Sequence, residues 1–176
     1  ICKTSLADQC CETCGSLEGV DASGFAASRV FGYDWAAGSV APWRDASGRA
    51  YATPAELAES ALAAAGLERG GYCIDLGCGD AAILRAAATR YGCRGLGLDI
   101  DDGALADAAR AIEADGVGEL VSVRRGDLNE FDLAGEIDHA DAPVVVTCYL
   151  LPATLRELRP KLEDAVHRGA AVILFR

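Results

Sequence analysis

From Tyr51 onward the chain alternates short, almost continuous apolar runs with longer stretches whose apolar positions recur at helical spacing. The short runs, Tyr72–Leu76, Gly95–Asp99, Leu120–Arg124, Val144–Tyr149 and Ala170–Phe175, read as strands. Residues 81–91, 104–115 and about 153–167 read as the helices between them. A further helix over about 54–65 carries its own start and stop: Thr53 can cap it, Pro54 suits its first position, Glu56 stands three residues after the cap, and Gly66 closes it. Strands that are apolar throughout must be covered on both faces, so the pattern predicts a doubly wound α/β fold around a parallel sheet. Ligands of such sheets bind at the carboxyl ends of the strands, which directs attention to the positions just after residues 76, 99, 125 and 148.

Residues 1–50 lack this regularity. Glycine, alanine and serine dominate residues 15–50, and neither a period of 2 nor one of 3.6 is sustained. The expectation is an irregular arm preceding a domain over 51–176, with Phe25, Phe31, Tyr33, Trp35 and Trp43 as anchors onto the chain's own core. Cys2, Cys10, Cys11 and Cys14 crowd its start. Cys11-x-x-Cys14 could open a zinc site, but no second pair or histidine follows at a fitting distance, so free thiols and no metal are expected. Cys73, Cys78, Cys93 and Cys148 fall in or beside strands and read as small buried hydrophobes, which fits an intracellular, reducing compartment. The chain starts at Ile1 rather than a methionine and ends directly after the fifth predicted strand, which suggests a processed or partial sequence.

Charge narrows the partners. The net charge is −11, and only two lysines accompany fourteen arginines, so no basic cluster exists to track a phosphate backbone and general nucleic-acid binding is not expected. No apolar run approaches the roughly 18 residues of a membrane span. His139 and His167, in a loop and at a helix end, read as surface residues.

The chemistry concentrates at the first strand end, Asp75-Leu-Gly77-Cys-Gly79-Asp80. Gly77 permits a sharp turn off the strand, and Gly79 permits backbone to approach a ligand that a Cβ would push away. Gly77-x-Gly79-x-x-Ala82 also fits the dinucleotide fingerprint, so the glycines alone do not choose. The carboxylates do: Asp75 and Asp80 would repel a pyrophosphate and suit a cationic ligand, such as a sulfonium with a protonated amino group. Asp99, ending the second strand, is placed for ribose hydroxyls. Asp127, in Arg125-Gly-Asp-Leu128, is placed to accept a hydrogen bond from an adenine amino group, with Ile100 and Leu128 flanking the ring. The plainer alternative is that Asp80 caps a helix, Asp99 opens a turn and Asp127 is one more loop carboxylate.

With these residues in view, 51–176 resembles the class I S-adenosylmethionine-dependent methyltransferases. The likeness is closest to the family of the mitochondrial lysine methyltransferases of the ATP synthase c-subunit and the adenine nucleotide translocase, with their bacterial relatives. Besides Asp75–Asp80, the match rests on Tyr51-Ala-Thr-Pro54 and on Tyr149-Leu-Leu-Pro152 followed by Leu158-Arg-Pro-Lys-Leu162 and Gly169. The resemblance implies a Rossmann-like sheet, here lacking the final antiparallel strand pair, and S-adenosylmethionine as cofactor. It implies that Thr53 lies near the cofactor's carboxylate, that Asp75, Gly77, Gly79, Asp99 and Asp127 hold the cofactor, and that Tyr149, Leu150, Leu151 and Pro152 line the channel for the methyl acceptor. It also makes a mitochondrial location an expectation. The chain departs from the family's Gly-Asp-Gly-Arg at Gly79-Asp-Ala-Ala82, where the Ala81 methyl is expected to crowd the approach of backbone to cofactor.

The leading functional expectation is a protein-lysine N-methyltransferase acting on a lysine-bearing protein, with Tyr149 orienting the acceptor amine or else serving only as a packed strand-end aromatic. Two alternatives stand beside it: a methyltransferase-like subunit of a larger assembly that has lost catalysis, and a methyltransferase acting on a small molecule or RNA.

Overall fold

A computed structural model describes residues 30–33 and 55–175 of the chain. The elements are β1 (Val30–Tyr33), α1 (Ala55–Ala64), β2 (Tyr72–Leu76), α2 (Ala82–Tyr91), β3 (Arg94–Asp99), α3 (Asp102–Ala114), β4 (Val121–Arg125), α4 (Leu133–Asp138), β5 (Val144–Tyr149), α5 (Pro152–His167) and β6 (Ala171–Phe175). The strands form one sheet in the order β1-β6-β5-β2-β3-β4, and every pair is parallel. The five expected strands are present at close to their expected bounds. The arm is not irregular throughout: Val30–Tyr33 pairs with β6 as a sixth strand. Four residues are too short a run for any periodicity to register, so only the pairing reveals it. Phe25, Trp35, Trp43, the four N-terminal cysteines and Thr53 lie outside the described residues.

Alternation along each strand divides the core into two layers. Cys73, Val145, Ile173 and Phe175 face α1, α2 and α3, packing with Ala58, Leu62, Leu84, Ala87, Ala108 and Ile112. Ile74, Leu76, Leu96, Leu98, Val146 and Val172 face α4 and α5, packing with Leu133, Ile137, Leu155, Leu158 and Leu162. Cys73, Cys78, Cys93 and Cys148 are buried free thiols within these layers. Burial pushes the pKa of each above the ordinary thiol value.

Gly95 and Gly97 are what allow α2 to lie so close to β3. A Cβ on Gly97 would stand 2.7 Å from Cys78 Sγ and 2.9 Å from Leu84 Cδ1, and one on Gly95 would stand 3.1 Å from Leu84 Cδ2. Helix α2 in turn ends on Gly92, whose left-handed backbone (φ 63°) turns its N–H onto the carbonyls of Ala87 and Ala88. Helix α3 is capped by Asp101, which accepts from the N–H groups of Gly103 and Ala104.

The direction of the chain reverses about β2. Strand β2 pairs with β3 on one side and β5 on the other, so successive crossovers leave it in opposite directions and put the topological switch point, where such sheets bind ligands, at the carboxyl ends of β2 and β5. Among the described residues, no helix is long and apolar enough to cross a membrane.

Gly97→Ala is expected to destabilise the fold by about 1–3 kcal/mol, because the new methyl meets Cys78 and Leu84 inside a packed core. Denaturant unfolding should show a lower midpoint at unchanged slope.

Candidate functional site

The loop after β2 hangs from the end of β3. The N–H groups of Gly77 and Cys78 both donate to Leu98 O, at 2.8 and 2.9 Å. Gly79 N–H donates to Asp99 Oδ2 at 2.9 Å. Gly77 needs to be glycine on two counts: its φ is +82°, and a Cβ would stand 2.5 Å from Leu150 Cδ2. Gly79, also at positive φ (+53°), has nothing within 4 Å of its missing Cβ, so its backbone borders open space. The two glycines therefore do different work. One admits the neighbouring strand end, and the other leaves room over the loop.

Asp99 ties three strand ends together. Besides holding Gly79, its Oδ1 accepts from Asp101 N–H at 3.0 Å, and its main-chain oxygen accepts from Gly126 N–H at 3.0 Å. Asp80 accepts from Ala82 N–H at 3.2 Å and lies 3.7 Å from Arg85. Asp127 is exposed, and its Oδ1 accepts from Asn129 N–H at 2.8 Å. Capping and turn roles are thus present at all three carboxylates. They fix where each carboxylate stands without removing it from the cleft edge.

Asp75 differs from the others because it is buried, with 2 % exposure. Register sets it opposite Gly97 on one side and Thr147 on the other, on the face toward α2. Thr147 Oγ1 donates to Asp75 Oδ1 at 2.7 Å. Burial pushes the Asp75 carboxyl up to about 7; the Thr147 hydrogen bond holds it down, and the charges of Asp99 and Asp80 add to the rise. Sequence reasoning missed Thr147, although a lone hydroxyl inside Val144-Val-Val-Thr-Cys-Tyr149 was a readable signal.

Ile100, 61 % exposed, and Leu151, 48 % exposed, are the exposed large hydrophobics among the described residues. They stand at the carboxyl ends of β3 and β5. Leu128 is half-buried and packs against the α4–α5 layer. Tyr149 stacks edge-on against Phe175 at 5.8 Å between ring centroids, so the packing partner is the end of β6 rather than the following helix. Burial raises its phenol above the ordinary value. Pro152 supplies the first position of α5.

Ala81 answers the question raised by the family's glycine. It is the one non-glycine with positive φ among the described residues (φ 60°, ψ 27°), at the entry to α2. Its exposure is 0 %, within the α1–α2–α3 layer of the core. The methyl therefore points into protein rather than into the cleft, contrary to the expectation that it would crowd a cofactor. The cost of alanine here is backbone strain. Sequence reasoning also missed Lys161, which is half-buried on α5. Burial lowers its pKa from the ordinary amine value, against the opposing charges of Asp132 and Asp127.

Carboxylates at three strand ends, an open backbone at Gly79 and a solvated Ile100 fit an adenosine-bearing, positively charged ligand. The strand order about β2 is compatible with a class I S-adenosylmethionine-dependent methyltransferase fold, and the similar solved structures support that fold. The sequence model of the ANTKMT methyltransferase domain matches residues 75–176, and the chain belongs to that family. It is 30% identical over 122 residues to the protein-lysine N-methyltransferase of Saccharolobus islandicus strain REY15A, covering 69% of this chain and 71% of that protein. It is similar to the crystal structure of an RNA methyltransferase from Salinibacter ruber in complex with S-adenosyl-L-homocysteine: TM-score 0.57, 37% identity, 64% of this chain and 69% of the other. It also resembles a methyltransferase from Geobacter sulfurreducens bound to the same product, with TM-score 0.53 and 26% identity, covering 67% of this chain and 44% of the other.

Ala81→Gly is expected to be close to neutral for stability, because relief of about 1–2 kcal/mol of left-handed strain offsets the lost methyl burial and the added freedom of the unfolded chain. Ala87→Gly, in the buried interior of α2, should cost about 2 kcal/mol by comparison. Paired denaturant titrations measure the difference.

Proposed function

We propose that this chain is an enzyme that methylates the ε-amino group of a protein lysine, using S-adenosylmethionine. The observation that carries the reading is the placement of Tyr149-Leu-Leu-Pro152 beside the cofactor loop, with Leu150 against Gly77 and Leu151 in solvent. The likeness to a protein-lysine N-methyltransferase over most of both chains supports it.

When bound, the cofactor supplies an electrophilic methyl group on a sulfonium. The chain's own part is to hold and orient. Asp99 and Gly79 present the ribose contacts, Asp127 accepts from the adenine amino group, and Ile100 and Leu128 cover the ring. Asp80 and Asp75 favour the positive end, and Thr53 is assigned to the carboxylate end. Tyr149 to Pro152 form the apolar wall along which the lysine side chain enters. An apolar wall, once covered by the acceptor segment, favours the neutral amine, the form that can attack, because burial lowers an ammonium's pKa. Burial keeps the Tyr149 phenol protonated, so its role is to orient the amine by hydrogen bonding rather than to remove its proton. The acidic balance of the chain favours a basic protein segment as partner.

A second reading, an RNA acceptor, is favoured by the likeness to the Salinibacter protein; the net charge of −11 weighs against it. The scaffold reading loses one of its motives, since the Ala81 side chain is buried in the core.

The test is calorimetric binding of S-adenosylhomocysteine, followed by mass spectrometry of protein and RNA pools after incubation with the full chain and S-adenosylmethionine. ε-N-methyllysine is expected, and Tyr149→Phe should lower kcat on the order of tenfold while cofactor Kd stays unchanged. Methylated RNA without methyllysine favours the second reading; absence of cofactor binding removes both.

Cofactor binding should also release protons near pH 7. In the free chain Asp75 titrates at about 7 and is half protonated there. A ligand ammonium favours the carboxylate, lowers that value and expels the proton. The calorimetric enthalpy at pH 7 should therefore depend on the buffer's ionisation enthalpy. This dependence should fade by about pH 9, where Asp75 is already ionised, and vanish in Asp75→Asn.

A further inference from the structure

Lys161 is one of only two lysines in the chain, and the cofactor contacts assigned above do not use it. It stands on α5, one residue after Pro160, on the helix that begins at the acceptor wall. Its ammonium donates to three main-chain oxygens of the segment after β4: Leu128 at 2.8 Å, Asn129 at 3.0 Å, and Phe131. That segment begins with Asp127 and Leu128 and continues into α4. Its other hydrogen bonds are local, Asn129 N–H to Asp127 Oδ1 and the Glu130 and Phe131 N–H groups to Asp127 O, while Leu128 and Phe131 pack against the α4–α5 layer and Arg124 lies over the Phe131 ring. Local turns fix the shape of a loop but not its position against the rest of the fold. The Lys161 bonds, reaching across about 30 residues of sequence, tie the loop's main chain to α5 and so help to set that position.

We infer that Lys161 is a positioning residue that sets adenine selectivity by holding the Asp127–Phe131 loop at the cleft edge. The inference rests on the reading of Asp127 and Leu128 as the adenine contacts. An ammonium satisfies three converging carbonyls with its three donors, a geometry that a planar guanidinium or a neutral amide cannot reproduce. Asn129 is exposed and Leu128 and Phe131 are only partly buried, so water can reach the carbonyls when the ammonium is removed. Loss of Lys161 therefore frees the loop without unfolding the domain. A freed loop must be ordered again when the base binds, and affinity and discrimination both fall.

The test compares calorimetric Kd values of the full chain for S-adenosylhomocysteine and for its inosine analogue, which offers a carbonyl where adenine offers an amino group. Wild type should prefer adenine, because Asp127 accepts from the amino group and repels the carbonyl. Lys161→Met should weaken S-adenosylhomocysteine on the order of tenfold and lower the adenine-to-inosine ratio, with a small change in unfolding temperature. Lys161→Arg, which keeps the charge, should recover part of the ratio and serves as the readout if the methionine variant does not fold. A merely structural lysine would lower stability and weaken both ligands alike; an unchanged ratio in Lys161→Met and Lys161→Arg, with a collapsed ratio in Asp127→Asn, overturns the inference alone. An unchanged ratio in Asp127→Asn overturns the adenine assignment and the inference with it.

Discussion

The Asp99 carboxylate is the tie on which the cleft edge depends. A parallel sheet fixes its strands laterally, but the loops leaving the carboxyl ends lie beyond its ladder and need ties from elsewhere. Asp99 supplies three of them with one residue: one carboxylate oxygen takes Gly79 N–H, the other takes Asp101 N–H, and the main-chain oxygen takes Gly126 N–H. Three loops from β2, β3 and β4 thereby become one rim. A charged acceptor makes these bonds stronger than neutral ones, and the half-buried setting limits screening.

Beneath that rim the sheet spends its polarity sparingly. On the face toward α2, Gly97, Asp75 and Thr147 lie side by side across β3, β2 and β5. The glycine makes room for the helix, the hydroxyl satisfies one carboxyl oxygen, and the carboxyl sits under the loop that carries the candidate site. Moving Asp75 by one residue would turn it into the opposite, wholly apolar layer, with no hydroxyl to meet it. Packing and electrostatics are consequently set by the same register.

The α/β order, the strand bounds and the four carboxylates were legible because each follows from local rules: apolar runs, helix periods, and glycine or aspartate at strand ends. Ile100 and Leu151 gained their meaning only from exposure, which sequence does not carry. Thr147 and Lys161 act through partners 72 and about 30 residues away, and nothing in their neighbourhoods names those partners. Helix α4 was missed because Leu133–Asp138 is too short to show a helical period and contains a glycine. Ala81 was misjudged for a related reason. The family's glycine marked a special backbone, but the direction of a Cβ depends on dihedral angles that composition does not reveal.

The pairing of β1 with β6 sets Val30 opposite Val172, which makes it the longest loop closure in the sheet. Such a contact carries the largest entropic cost of formation among the described strand pairs and offers nothing until β6 has been made. Of the described strands, β1 is made first and yet can dock only after β6 has been made. Until β1 docks, β6 has a single neighbour among the described strands, and an apolar edge is open to any extended segment nearby.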